Sequence, residues 1–441
     1  MKRRDFVKNG IISTAGLAVL PHFLQSCSKF PKLKKGNFNG KVLIVGAGAA
    51  GLFAGKLLHD LGIEFEILEA SDRVGGRMGK LEGFADYPLD LGAQWLHGKK
   101  NIFWKFIRKS DTVITEDDTE ITFIFNGEKR NELPKDIQGI FSSGNLPDIS
   151  FSEHAIQKGF GEEYKFIVEN LAGDQGTSGS RLSVYWNNKE EEEWSSGDKD
   201  YKFEKTYYDL VSSQFLAPIA SKIKVGKQVK FIDYTEETLN CQDQNGDSYP
   251  CTHIILTVPI TVLKDGDITF NPPLPTEKTA AFQKIGMDAG MKVFLKFSEK
   301  FYDDNLVGGS ICAAYANEKV GKKGTDNVLL AFIMGEQAET LSNLPDQEIV
   351  TALLEELDGI YNGKATANFI DAYVQNWAKH PFIRGAYSYS TIGMGDARKR
   401  AAESVSGKIF FAGEAMHLQG HHQTAHGAAE SGYFAVAELI G

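Results

Sequence analysis

Excess positive charge, long apolar runs and cysteine are all scarce in this chain of 441 residues. Aspartate and glutamate outnumber lysine and arginine by 58 to 48, a formal net charge of −10. That balance argues against a nucleic-acid partner and favours a cationic small substrate. Beyond the N-terminus no apolar stretch is long enough to span a bilayer. No internal repeat stands out, so a solenoid or propeller is not indicated. Cysteine occurs four times, at Cys27, Cys241, Cys251 and Cys312. Only Cys241 and Cys251 invite pairing, across an Asn245-Gly246 hairpin turn. A two-residue loop sets Cys241 opposite Pro250, one residue out of register, whereas a three-residue loop would bring the cysteines face to face. The reading favours two ordinary strand cysteines over a disulfide.

The first residues stand apart from the rest. "MKRRDFVKNG" is basic, with Arg3 and Arg4 adjacent, and "IISTAGLAVL" is apolar but too short for an ordinary span. The pattern R-R-x-F-V-K resembles a twin-arginine export signal. "LQSC" then resembles a bacterial lipobox, in which Cys27 would be lipidated. Residues 1–27 are thus expected to be a signal, 28–39 a flexible tether, and the mature protein periplasmic and anchored to a membrane through Cys27.

The fold proper opens with "KVLIVGAGAAGL". A buried strand runs into Gly46, Gly48 and Gly51 at the spacing G-x-G-x-x-G, with Ala50 inside the motif. A helical pattern follows, then a second strand that ends on Glu69. Gly46 allows the tight turn, Gly48 lets backbone approach a pyrophosphate, and Gly51 lets helix meet strand. The pyrophosphate would rest on the helix N-terminus. Glu69 lies where a ribose-hydroxyl acceptor belongs. The pattern predicts a dinucleotide site and does not separate FAD from NAD.

Further along, "KIKVGKQVKFIDYTEETLNCQDQNGDSYPCTHIILTVP" reads as alternating strands, a hairpin and a buried strand. "NPPLP" marks a crossing into another region, "MKVFLKF" is a strand and "DQEIVTALLEELDGIY" an amphipathic helix. "KIFFAGE" is a buried strand, and "AHGAAESGYFAVAELIG" a final helix. The acidic run "NKEEEEW" reads as a solvated face. The dinucleotide domain is therefore interrupted.

Several ordered motifs resemble the flavin amine oxidase family: G-x-G-x-x-G, "EASDRVGGR", "GAQWLHG", "FFAGE" and "TAHGAAESG". The likeness runs over about 40–260 and 270–441 and is weak between 110 and 215. It implies an α/β fold: an FAD-binding, Rossmann-like domain of the GR2 type, built from 40–98, 215–268 and 384–441. An α+β substrate domain would comprise 99–214 and 269–383. It also chooses FAD. Arg77 would serve the pyrophosphate, and Gly92, Ala93, Gln94 and Trp95 would line the isoalloxazine. Val229 would meet the adenine through its backbone. Glu414 would bond the ribityl or pyrophosphate region, and Thr424 and Ala425 would abut the flavin. The family's glycine pair before an "LV" helix is missing from "YKFEKTYYDLV", which leaves the backbone there open.

The resemblance also marks a reacting face. Lys292 matches a lysine that holds a water against flavin N5; from pattern alone it shares a solvated strand face with Phe294 and Lys296. Trp377 and Tyr387 match a segment that supplies aromatic residues beside the flavin. Ala386 stands where monoamine oxidases carry the cysteine that attaches flavin, so FAD is expected to be non-covalent. Thr424 and His97 look like the polyamine-oxidase branch. His417, His421, His422 and His426 have paired helical spacings, but Gly420 interrupts them and no metal is expected. The implied chemistry is hydride transfer from the amine α-carbon to flavin N5, with O2 or another acceptor, giving imine or aldehyde and H2O2. The alternatives are an L-amino-acid oxidase, a desaturase-like flavoprotein and a flavin-bearing binding protein without turnover. An amino-acid oxidase needs an arginine for the substrate carboxylate. None occurs between Arg77 and Arg108, and Arg384 is assigned a structural part.

Overall fold

The computed structural model describes residues 30–141 and 146–441. The twin-arginine pattern and Cys27 lie outside the described residues. A parallel sheet forms the centre. Lys41–Val45 pairs with Glu64–Leu68 on one side and His253–Leu256 on the other. Ile223–Lys224 and Ile409–Phe411 complete the two edges. A sheet of this kind is covered on both faces. Val42, Ile44 and Ile255 accordingly join one core cluster, and Leu43, Val45, Ile254 and Leu256 the opposite one.

The helix Ala49–Asp60 follows the glycine turn, and the last helix, Ala425–Ile440, packs along it. Their approach is close because Gly432 has no side chain. A Cβ there would lie 2.5 Å from the Ala50 carbonyl oxygen.

A seven-stranded sheet carries the second region. Its order is Phe369–Asn376, Gly290–Phe297, Asn327–Met334, Ala314–Asn317, Asn305–Val307, Ile121–Phe125, Glu128–Arg130. The helix Asp346–Tyr361 buries Ile349, Leu353 and Leu357 in the core cluster that holds Met291, Val293 and Leu295. Lys292 points to the other face, and there it is buried rather than solvated, at 2% exposure.

The expected domain boundaries at 98, 268 and 383 each divide paired strands. Trp95–His97 pairs with Asp200–Phe203. Thr269–Asn271 adds in parallel to Val229–Asp233, so the crossing falls just after it, at the prolines. Ile285–Met287 pairs with Ser388–Ser390. The two regions are stitched at three of the four passages of the chain.

Residues 30–39, expected as a flexible tether, are packed. Phe30 meets the Tyr433 ring edge-on at 5.4 Å, the Tyr433 hydroxyl donates to the Pro31 carbonyl at 2.7 Å, and Phe38 lies 5.0 Å from the His253 ring. The cause is composition: Phe30, Leu33 and Phe38 pack against the core cluster that the last helix shares with the central sheet. The cysteine hairpin closes with a three-residue loop, but in the opposite slip from the one that would pair the thiols. Cys241 faces Tyr249 and Cys251 faces Leu239, and both are free and buried. In place of the missing glycine pair, Thr206 and Asp209 form a reciprocal capping box that starts the helix Tyr207–Val211.

Candidate functional site

A cavity of about 850 Å³ runs between the regions and touches nearly every motif picked out above. At one end lies the glycine turn. Gly46 has φ +105°, a value that suits glycine alone, and its N–H donates to the Leu68 carbonyl at 2.8 Å. A Cβ on Gly51 would overlap the Gly46 carbonyl oxygen, so strand and helix touch as expected. Gly48 differs: a Cβ there would meet nothing within 4 Å. The helix begins at Gly48 with no side-chain cap and no acid in its first turn. Its first N–H groups and positive end are therefore left for an anion.

Glu69 holds this turn in shape. Its carboxylate accepts the Ala47 N–H at 2.7 Å, the Ser71 N–H at 2.9 Å and the Ser71 hydroxyl at 2.8 Å. It lines the cavity, as do Ala50, Lys227 and Val229. The second glycine turn docks on the first through Gly75, whose N–H reaches the Ala47 carbonyl at 2.9 Å. Arg73 braces that turn by donating to the Gly76 and Met78 carbonyls. Gly92 is needed because a Cβ would overlap the Arg77 carbonyl.

Arg77 donates to the Ala386 carbonyl at 2.7 Å and to Glu414 at 3.0 Å. Glu414 also accepts the Ser388 hydroxyl at 2.7 Å and the Gln423 N–H at 3.0 Å. Burial pushes its carboxyl up, but Arg77 and Ser388 outweigh burial and hold it below the usual range. Its acceptor positions are taken by protein donors, so it acts as a clamp between distant segments rather than as the free hydrogen-bond acceptor anticipated for a cofactor.

The other end is aromatic and acidic. Trp377 lines the cavity nearer the second glycine turn, with the Arg73 guanidinium 5.7 Å from its ring, and donates from Nε1 to the Leu91 carbonyl at 3.0 Å. The Tyr387 hydroxyl lies 3.1 and 3.0 Å from the Gly173 and Asp174 carbonyls. Ala93 and Ala425 also line the cavity, and Trp95 donates to Asp117 at 2.8 Å. The Thr424 hydroxyl caps the last helix, accepting the Gly427 N–H at 2.9 Å and donating to the His421 carbonyl at 2.8 Å. That hydroxyl is therefore committed to structure. His97 Nδ1 is 2.7 Å from Asp200.

Lys292 Nζ donates to the Asp90 carbonyl at 3.0 Å and to the Gln94 side-chain oxygen. Burial pushes its pKa down, and Glu318 and Asp90 pull it partly back. Burial pushes the Asp90 carboxyl up against Lys322 and Lys292.

The acidic run is solvated only in part: Lys189, Glu192 and Glu193 are exposed, whereas Glu190 and Glu191 are half-buried. The helix Val184–Glu192 sends Asn188 and Glu191 into the cavity wall, followed by Trp194. Glu190 pairs with Arg398 at 2.7 Å and lies 3.1 Å from His422. Glu191 is pushed up to about 7 by burial and then by Glu190. The three-residue spacing of Asn188, Glu191 and Trp194 is the available signal. Glu318 and Lys202 were also missed, because nothing local marks them.

His417, His421 and Glu430 do meet, fully buried, with Glu430 Oε2 at 3.0 Å and 2.7 Å from the two rings. The backbone fixes what this cluster is. His417 Nδ1 accepts the Gln419 and His421 N–H groups, so its proton is on Nε2. His421 Nε2 accepts the Ser195 N–H, so its proton is on Nδ1. Both protons point at one carboxylate. A metal would need those two nitrogens bare while backbone donors occupy the others, so the donor set suits a proton network.

The sequence profile described as flavin containing amine oxidoreductase matches residues 49–206 and 208–440. Human lysine-specific histone demethylase 2 is 26% identical over 481 aligned positions, covering 98% of this chain and 56% of that protein. The chain thus spans about half the length of such demethylases. Polyamine oxidase 6 of Oryza sativa subsp. japonica is 24% identical, covering 93% of this chain and 92% of its own. The human peroxisomal N(1)-acetyl-spermine/spermidine oxidase is 26% identical, covering 91% and 94%. Among solved structures, putrescine oxidase bound to putrescine superposes with a TM-score of 0.78 at 19% identity, covering 93% of this chain and 100% of its own. Cyclohexylamine oxidase from Brevibacterium oxydans gives 0.77 at 19%, covering 91% and 99%. Both likenesses establish the fold.

Proposed function

The chain belongs to the flavin-containing amine oxidoreductases, and from that membership we propose that it is an FAD-dependent oxidase of polyamines and related secondary amines. The cavity fits the cofactor. It is within the size range of ligand sites, its open glycine at position 48 faces no protein atom, and an uncapped helix starts there. FAD, when bound, supplies the hydride acceptor for the carbon beside the amine nitrogen and delivers the electrons to dioxygen as H2O2. None of the described cysteines lines the cavity, and Ala386 offers no side chain for attachment. Acid precipitation is expected to release all flavin into the supernatant; flavin kept in the pellet would contradict non-covalent binding.

One observation carries the substrate class: the charge of the reacting end. Asp174, Glu191, Glu192, Asp198 and Asp200 line it. The lysines and arginines that line the cavity are Arg73, Arg77, Lys227 and Lys292. Arg73 and Arg77 brace loops, Lys227 pairs with Asp243 and Asp247 near Val229, and Lys292 is held by Asp90 and Gln94. Arg384 is spent on Asp265 and Asp267. Among the described residues no arginine is placed for a substrate carboxylate, and an unpaired buried carboxylate costs several kcal/mol. A second ammonium group finds several acids instead.

The chain's own residues then do three things. Tyr387 walls the amine without adding charge. The carboxylates orient the far end of the substrate. Glu191, near neutrality, accepts the proton an ammonium must lose before it can give up hydride. Mixing the FAD-loaded protein anaerobically with an amine panel tests this. Spermine, spermidine or their N-acetyl forms are expected to bleach the flavin within seconds, and L-amino acids to leave it yellow. Rapid bleaching by an L-amino acid with polyamines inert would falsify the assignment.

A further inference from the structure

Beneath the reacting end lies a buried polar cluster. Gln94, Lys202, Lys292 and Glu318 are each at most 3% exposed. Gln94 stands between two ions. Its amide nitrogen donates to Glu318 Oε1 at 3.0 Å, and its amide oxygen accepts from Lys292. The two ends of an amide have the same shape, so partners alone decide which way it lies. A carboxylate only accepts and an ammonium only donates. Both demand the orientation seen. The reverse would set NH2 against NH3+ and oxygen against carboxylate. Lys202 Nζ grips the same Glu318 oxygen at 3.1 Å and the Asn317 carbonyl at 3.2 Å. Lys322 lies 3.8 Å from Asp90.

We propose that Glu318, acting through Gln94, is a positioning residue for Lys292: it turns the amide so that its oxygen holds the lysine ammonium at the cavity wall, and its charge keeps that ammonium protonated in a dry site. The proposal rests on the reading that Lys292 faces the reacting ring of FAD. Electrostatics agree. Burial pushes Lys292 down to about 8; Glu318 is the largest counterweight, followed by Asp90, while Lys202 and Lys322 push further down. Glu318 itself is raised by burial but held below the usual range by Lys202, Lys292 and Lys322.

The test measures the midpoint potential of bound flavin against pH in the FAD-loaded protein, with the FAD dissociation constant beside it. A buried cation near the ring bends that plot where it loses its proton. Lys292→Met is expected to abolish the bend. Glu318→Gln should move it down by one pH unit or more, and Gln94→Met should move it the same way with both charges still present. Lys202→Met should move it up, because Glu318 is then freed for Lys292. If Lys292→Met abolishes the bend while Glu318→Gln and Gln94→Met leave it in place, the relay is wrong and the placement of Lys292 stands. If Lys292→Met leaves the bend intact, the placement of Lys292 itself fails. Should Glu318→Gln not retain FAD, Gln94→Met and Lys202→Met decide, through their opposite signs.

Discussion

Two side chains at the reacting end set opposite pH demands. His422 is 3% exposed, and burial pushes its pKa down to about 4. His426 is lowered by the same cause. The unfolded chain therefore takes up these protons first, and stability falls as pH drops from about 6.5 towards 4, by about 1.4 kcal/mol per pH unit for the His422 ring. Thermal melts at pH 7 and pH 5 are expected to show that loss, and His422→Gln to reduce it; an unchanged slope would place the acid lability elsewhere. Glu191 runs the other way, since its carboxyl is raised to about 7 and is still taking up protons where an ordinary glutamate is ionised. Replacing it by Gln is expected to remove the limb near neutrality from the pH profile of kcat/KM. It should also lower kcat/KM for polyamines and simple monoamines alike, by about tenfold or more, because the proton it accepts comes from the reacting nitrogen that both share. A loss confined to polyamines would place Glu191 at the far ammonium instead.

At the level of elements, the glycine turn makes a paired forecast. Gly51→Ala forces a methyl into the Gly46 carbonyl and should destabilise the protein with or without cofactor. Gly48→Ala has free space and extended backbone, φ −80° and ψ −169°, so the apoprotein should melt as the parent does while FAD affinity falls. Differential scanning fluorimetry with and without FAD separates the two, and a Gly48→Ala protein with parental affinity would remove the pyrophosphate from that spot. The same element shows what was legible. Strand, glycine turn, helix and Glu69 were readable because their physics is local: period, φ and spacing. Lys292 was readable only through the order of motifs, since strand alternation alone put it in water. Glu192 and Glu193 are exposed as the solvated-face reading expects, but Glu190 and Glu191 are not legible because their surroundings are distant in sequence: Glu190 pairs with Arg398, and Glu191 is covered by the cavity wall. The hairpin slip at Cys241 depended on a loop whose length Asn-Gly does not fix by itself.

At the level of the molecule, the segment from Phe30 to Phe38 belongs to the body. Deleting residues 30–38 is expected to lower the melting temperature by several degrees, and Phe30→Ser to reproduce much of that, by loss of about 2 kcal/mol of apolar burial. A truncation as stable as the full chain would show the contact to be idle. We also propose that the chain is exported and lipidated at Cys27, on the grounds of Arg3-Arg4 and "LQSC". Mass spectrometry of the mature N-terminus in native cells should find the modified cysteine, and an intact Met1 would end the proposal.

The central sheet is finished by Ile409–Phe411, and the cavity wall takes Glu414, Gln423, Thr424 and Ala425 from beyond it. A ribosome makes the glycine turn early and these residues last. At roughly 5–20 residues per second, about 20–70 s separate them. Through that interval the strand Lys41–Val45 has no completed sheet and the helix Ala49–Asp60 lacks the helix that covers it. Cofactor loading is therefore expected only after the last strand and helix have been made. Chains stalled before residue 409 are expected to bind no flavin, and the yellow colour to appear only with the full-length product.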